Sequence, residues 1–400
     1  MTKVKPFIKP LELITLVLGS ALMFPYTFLP ILRSYPKNSD VWVVFIVGMM
    51  LTAIINLPIL FLVKKFRGLN INQIFEAISG KVIGKIFLVM YIMFFLMCFF
   101  TCMMISMQFI NVSIMKKTPM WALALTALIP ATYAASKGPG VVARISVFIT
   151  PVMVLTILIF AINGSEFYKV DHLLPILADS YFIEILKGAF IVAVRFSEVT
   201  ILFVFSYFLK QNTSAIKSYF VVLILLTISF LLILLPVLLT FGYTLASRAF
   251  NPYFLFARQV QLFDMIEKVQ SLNTMIWFPG ITLKLAIYNS MAAFVISNFS
   301  KKIKAPIVSI VIGVVAFIVS FIPILDKNLV IEKLLSDTVM PYFLFALIVV
   351  IPLVLVIVYL ITKKKVDKKV VQLLEQEQNT LTPQEAAKHA ISHEDALAEE

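Results

Sequence analysis

Three ionisable residues stand in apolar runs that leave little water for them: Arg195, Glu198 and Lys284. Arg195 and Glu198 are three apart in Val194-Arg195-Phe196-Ser197-Glu198-Val199-Thr200, the spacing of a charge pair on one helical face. Lys284 stands one turn before Tyr288 in another run, far from either end of it. Charge at membrane depth is costly and is kept where it meets a partner, a cavity or a ligand. Lys284 competes with Arg195 for Glu198, and one carboxylate shared by two cations leaves a net positive site. Such a site suits a carboxylate on a substrate. A second kind of recognition uses freed backbone groups. The stretch Leu18-Gly19-Ser20-Ala21-Leu22-Met23-Phe24-Pro25 places Gly, Ser and Pro close together in the first apolar run. It predicts a helix break between Gly19 and Pro25 that turns the main chain of Gly19, Ser20 and Ala21 toward a ligand. A close helix crossing at Gly19 with a kink at Pro25 is the alternative.

The elements that carry these residues follow from composition. Of 400 residues, 61% are hydrophobic and 14% charged, against about 25% charged in a soluble domain. Mean hydropathy is +0.99. A soluble globular enzyme, a disordered chain and a coiled coil are excluded. A membrane span needs about 20 mostly apolar residues. Ten segments qualify, at 11–32, 41–63, 86–114, 119–135, 141–162, 185–209, 218–245, 272–297, 306–324 and 339–362. The first is read as a helix and not as a leader, because its apolar stretch is long and no small-residue cleavage site follows. Lys and Arg are concentrated on the side that holds both termini, which makes that side cytoplasmic.

The expected fold is therefore all-α and integral to the membrane, with ten transmembrane helices. Residues 1–10 form a cytoplasmic N-terminus, 11–162 a first five-helix repeat, 163–184 an outer loop, 185–362 a second repeat and 363–400 a basic, then polar, tail. An odd number of spans per half inverts the second repeat relative to the first. Irregular segments at matching positions of inverted halves mark a midplane binding site. The first and sixth spans match in this way.

Other features are quieter. The net charge of +13 reflects loop lysines, and no nucleic-acid reader motif accompanies it. Cys98 and Cys102, four apart, share a helical face and read as packing residues. Residues 70–83 have helical apolar spacing and predict a short interfacial helix. Residues 252–269, with Tyr253, Phe256, Val260, Phe263 and Ile266 on one face, predict an amphipathic helix over the outer mouth. The tail from 366 is expected to project from the membrane, with a capping box at Thr382-Pro383-Gln384-Glu385. The sequence holds no phosphate loop, no metal-ligating cluster and no defensible nucleophile–base pair. The expectation is a protein without enzymatic activity, metal or cofactor.

Taken in order along the chain, several segments resemble a known family. They are Leu16 to Pro25, Leu69 to Gly84 ending Ser79-Gly80-Lys81-Val82-Ile83-Gly84, Phe196-Ser197-Glu198, Asn251-Pro252-Tyr253-Phe254 through Arg258, Phe263 and Glu267, and Ile276-Trp277-Phe278-Pro279-Gly280. The chain resembles the B subunit of spore germinant receptors, the GerAB-like spore germination proteins, over about residues 8–362. The resemblance implies the inverted five-plus-five fold of the amino acid–polyamine–organocation transporters, the LeuT/APC-like fold. It implies a place in the spore inner membrane beside a larger A subunit and a lipoprotein C subunit. It further implies a nutrient-sensing role, with an amino acid, sugar or nucleoside as ligand. Carried over by position, the ligand would meet Gly19, Ser20 and Ala21; Cys98 and Thr101; Phe196, Ser197, Glu198 and Val199; and Lys284 and Tyr288. A proton-coupled amino-acid permease of the same fold is the rival reading.

Overall fold

Apolar runs punctuated by proline and glycine become helices that start and bend at that punctuation. The computed structural model describes residues 8–27, 29–209, 214–260, 270–299, 303–321 and 340–379. The first half contains α1 (Pro10–Thr27), a 3-10 turn (Pro30–Arg33), α2 (Val41–Ile55), α3 (Leu57–Lys65), α4 (Ile71–Ser113), α5 (Met120–Ser136) and α6 (Pro139–Asn163). The second contains α7 (Phe182–Arg195), α8 (Thr200–Phe205), α9 (Ala215–Arg248), α10 (Pro252–Gln259), α11 (Gln270–Phe299), α12 (Ala305–Val319), α13 (Met340–Phe345) and α14 (Ile351–Asn379). A π-helical turn, Ala346–Val350, joins the last two, and Tyr91 Oη donates to its Leu347 carbonyl at 2.6 Å. Among the described residues, extended pairing is limited to one bridge between Ile8 and Leu209.

Among the described residues, seven helices are long and apolar enough to cross a membrane: Val41–Lys65, Ile71–Ser113, Pro139–Asn163, Phe182–Phe208, Ala215–Arg248, Leu272–Phe299 and Met340–Glu375. The other three expected spans fall on shorter apolar helices, Pro10–Met23, Met120–Ser136 and Ala305–Val319. The chain is an all-helical integral membrane protein. Its outer surface carries large apolar side chains such as Phe148, Ile361 and Ile162, as lipid contact requires. Helix α1 is central, packed against α6, α9 and α11, while α2 runs along α7.

Two local expectations are corrected, for 252–269 and for the tail, and two others gain detail. The short helix expected at 70–83 is present as the first part of α4 and ends at a kink at Gly80. Asn70 and Gln73 form a reciprocal capping box that starts it. At Gly80 the backbone takes φ +82°, a left-handed turn that glycine adopts without strain, and the helix changes direction into the span. The helix at 252–269 stops at Gln259, because Val260 is extended (φ −67°, ψ 128°). It is amphipathic as expected, with Tyr253, Phe254 and Phe256 buried and Leu255, Arg258 and Gln259 exposed, and Phe254 packs edge-on against Phe109. Its expected continuation through Phe263 and Ile266 lies outside the described residues, as does the capping box at 382–385.

The tail does not project from residue 366. Helix α14 bends at Thr362 and returns along the body. Val366 is buried, and Lys369 Nζ donates to the Glu76 carbonyl at 2.7 Å. The segment 163–184, expected as a loop, has no α-helix between the end of α6 and the start of α7 at Phe182. It holds two 3-10 turns and is clasped to the start of α2. The buried Asp40 carboxylate accepts hydrogen bonds from the Leu177 N–H at 2.9 Å and the Ser180 hydroxyl at 2.5 Å.

Candidate binding site

The expected break in the first span is not there. Helix α1 continues through Gly19 to Thr27 and carries Pro25 inside it. Gly19 serves the close crossing instead: a Cβ on it would lie 2.3 Å from Thr150 Oγ1 on α6 and 3.2 Å from Leu283 on α11. The same crossing is polar. The Thr15 and Ser146 hydroxyls are 2.8 Å apart, and Thr150 Oγ1 donates to the Thr15 carbonyl at 2.8 Å. Pro25 still has a chemical effect, because it offers no N–H to the carbonyl of Ala21.

The break falls in the sixth span, where no Gly or Pro announces it. Helix α7 ends at Arg195, Phe196 leaves the helical region with φ −79° and ψ 64°, and Ser197–Val199 form a 3-10 turn before α8. Arg195 and Glu198 therefore do not share one helical face. Glu198 turns to Lys284 instead. Lys284 Nζ lies 3.1 Å from Glu198 Oε1 and donates to the Ser20 carbonyl at 2.8 Å. Both side chains are almost wholly buried, with 1% and 8% exposure. The ammonium also sits 5.8 Å from the centre of the Tyr288 ring, within range of a cation–π attraction. Arg195 stands in the last turn of α7, where the negative end of the helix dipole favours a cation.

A cavity of about 100 Å³ opens beside this bridge. A single water needs about 10–15 Å³ on the same scale, so the space suits a solute of several heavy atoms. Its polar side is formed by Cys98 and Thr101 from α4, Arg195, Glu198 and Tyr288. Ser34 lines it too, and its buried hydroxyl makes no hydrogen bond to the described residues. Its apolar side is aromatic. Phe45 and Phe230 stack at 4.0 Å between ring centres, and Phe196 meets them edge-on at 6.0 and 5.9 Å. Ala21, Pro25, Ile191, Val192, Met340 and Leu344 complete the wall with Pro30 and Ile31.

Of the residues singled out in the sequence, Ala21, Cys98, Thr101, Arg195, Phe196, Glu198, Tyr288 and Pro25 meet on this cavity. Lys284 and Ser20 stand behind it, joined through the ammonium and the carbonyl. Gly19 faces the α6 crossing, and Val199 is buried outside the lining. The side chain of Ser197 lies outside the described residues. Sequence reasoning missed Phe45, Phe230, Ile191, Val192 and Ser34, along with Met340 and Leu344. These are ordinary apolar or small polar residues whose spacing matches any packed helix, so nothing local marks them.

Comparison with known proteins shows what the chain as a whole is similar to. A family model described as spore germination protein matches residues 7–328. The spore germination protein YndE of Bacillus subtilis (strain 168) is 21% identical over 182 residues, 46% of this chain and 50% of YndE. The match thus spans about half the length of that relative.

Proposed function

The chain belongs to the family of spore germination proteins, and on that premise we propose that it is the nutrient-sensing subunit of a spore germinant receptor. The ligand is a small amino acid held in the cavity between α1, α4, α7 and α11. The observation that carries this reading is the pairing of a cation, a carboxylate and an aromatic wall around one small space. An amino acid's carboxylate is drawn to Arg195 and its ammonium to Glu198, while Phe45, Phe196 and Phe230 receive the side chain.

The mechanism rests on the bridge. Lys284 supplies from within the chain the cation that ties the α1 backbone to the non-helical turn after α7. A ligand that engages Glu198 competes for the same carboxylate and favours one of two packings of that turn. It shifts the balance only by its difference in affinity between them. In this reading the chain spans the spore inner membrane ten times as two inverted repeats with both termini cytoplasmic. The change passes to an A subunit, with a lipoprotein C subunit beside it. Neither catalysis nor a cofactor enters this scheme.

The second reading, a proton-coupled amino-acid permease, draws on the same buried Glu198 as a proton carrier. One experiment separates the two. Dipicolinate release from spores lacking the protein is followed across single nutrients, alongside uptake of the same nutrients by growing cells. Loss of one nutrient response with unchanged uptake is the expected result. A lost uptake activity with an unchanged germination panel would replace the receptor by the permease.

A further inference from the structure

A second charged feature lies away from the cavity, where opposite ends of the chain meet. Helix α3 ends in Lys64-Lys65, followed by Phe66-Arg67, and the apolar part of α14 gives way to Lys363-Lys364-Lys365-Val366-Asp367-Lys368-Lys369. The bend at Thr362 lays the second run against the first. Lys65 Nζ lies 3.7 Å from Asp367 Oδ1 and 5.6 Å from the centre of the Tyr359 ring. Tyr359 Oη donates to the same Asp367 oxygen at 3.2 Å.

Lys369 is turned inward onto the Glu76 carbonyl and does not add to the surface charge. Lys363, Lys364, Lys365 and Lys368 are exposed, as are Lys64 and Arg67. Among the described residues, the acidic groups beside them are Asp367, already engaged by Lys65 and Tyr359, the half-buried Glu76, whose carbonyl Lys369 holds, and the exposed Glu375. The patch is therefore strongly positive. Directly before the lysines, Leu360 and Ile361 are 60% and 78% exposed, and Phe61 on α3 is 38% exposed. Uncovered apolar surface thus gives way abruptly to a ring of ammonium groups.

We propose that this patch is a docking surface for the headgroups of anionic phospholipids. The order of features matches a bilayer edge: apolar side chains at the depth of the acyl chains, then lysines whose flexible stems reach the phosphate level. A juxtamembrane cluster of four to eight basic residues attracts an anionic membrane surface. A protein partner relies on large aromatic or Arg anchors set among the charges, and the apolar side chain exposed at the far end of the basic run is the small Val371, at 53%. Lipid bound here would hold the returning helix against α3 and α4. This inference does not depend on what occupies the cavity.

The test uses the full-length protein, delipidated in detergent and titrated with phosphatidylglycerol or phosphatidylcholine, with bound lipids counted by native mass spectrometry. The wild type should hold phosphatidylglycerol at least ~10-fold more tightly than phosphatidylcholine, as expected when several basic groups act together. The fourfold variant K363Q/K364Q/K365Q/K368Q should lose most of that preference, and the matching fourfold Lys→Arg variant should keep it. K116Q/K117Q, in another exposed turn, should also keep it. If the fourfold Gln variant does not purify as a folded protein, K64Q/R67Q tests the other half of the patch and should weaken the preference. Equal affinity for the two lipids, or an unchanged preference in the Gln variants, overturns the proposal. Displacement of the lipid by millimolar inorganic phosphate would also overturn it, by pointing to a soluble anion.

Discussion

Lys284 Nζ and Glu198 Oε1 are 3.1 Å apart in the interior of the protein, and the same ammonium holds the Ser20 carbonyl at 2.8 Å. One side chain from α11 thus links α1 to the turn that interrupts the sixth span. A buried pair of this kind adds little net stability as a unit, yet losing one partner strands the other charge.

The bridge is expected to behave as a coupled pair. Lys284→Met should destabilise the protein by about 3–5 kcal/mol, because Glu198 is left buried without its cation. Adding Glu198→Gln should recover much of that loss. Thermal unfolding of the two single variants and the double variant measures the coupling. Additive losses would mean that the two residues act separately.

Arg195 is expected to recognise the ligand carboxylate. Arg195→Gln should weaken binding of the free amino acid by about ten- to hundredfold, the range for a hydrogen bond to a charged group. Binding of the corresponding amino-acid amide should change little. Calorimetry on the purified protein reads both ligands. An equal drop for acid and amide would assign Arg195 to structure and not to recognition.

The aromatic wall should set side-chain size. Phe230→Ala removes one ring of the stack with Phe45 and enlarges the cavity. The preferred ligand should shift toward larger side chains, while stability falls by about 3–5 kcal/mol. A series of amino acids of rising side-chain volume checks this. An unaltered order of affinities would move the side-chain pocket elsewhere.

Gly19 should matter for packing and not for the cavity. Gly19→Ala drives a Cβ into Thr150 Oγ1, an overpacking expected to cost about 1–3 kcal/mol. Adding Thr150→Ala should recover part of that cost, despite the lost hydrogen bond to the Thr15 carbonyl. Ligand affinity per folded molecule should stay near wild type. A selective loss of binding in Gly19→Ala, with stability unchanged, would return Gly19 to the ligand.

The sequence by itself determined that this is an all-helical membrane protein and where most of its helices run. Hydropathy is a local and nearly additive property, so apolar length is legible one segment at a time. It also exposed Arg195, Glu198 and Lys284, because a charge in an apolar run stands out without any knowledge of its neighbours. Glycine and proline drew attention to α1, where the helix in fact continues. The interruption after Arg195 has no such local marker. The Lys284 bridge and the Phe45–Phe196–Phe230 cluster are what hold its residues, and both depend on distances between helices far apart in sequence. Likewise only the tertiary structure decided that Glu198 meets Lys284, that Gly19 faces Thr150, and that the tail turns back to Glu76. Residue type sets how strongly a group needs a partner; the packing of the helices decides which partner comes within reach.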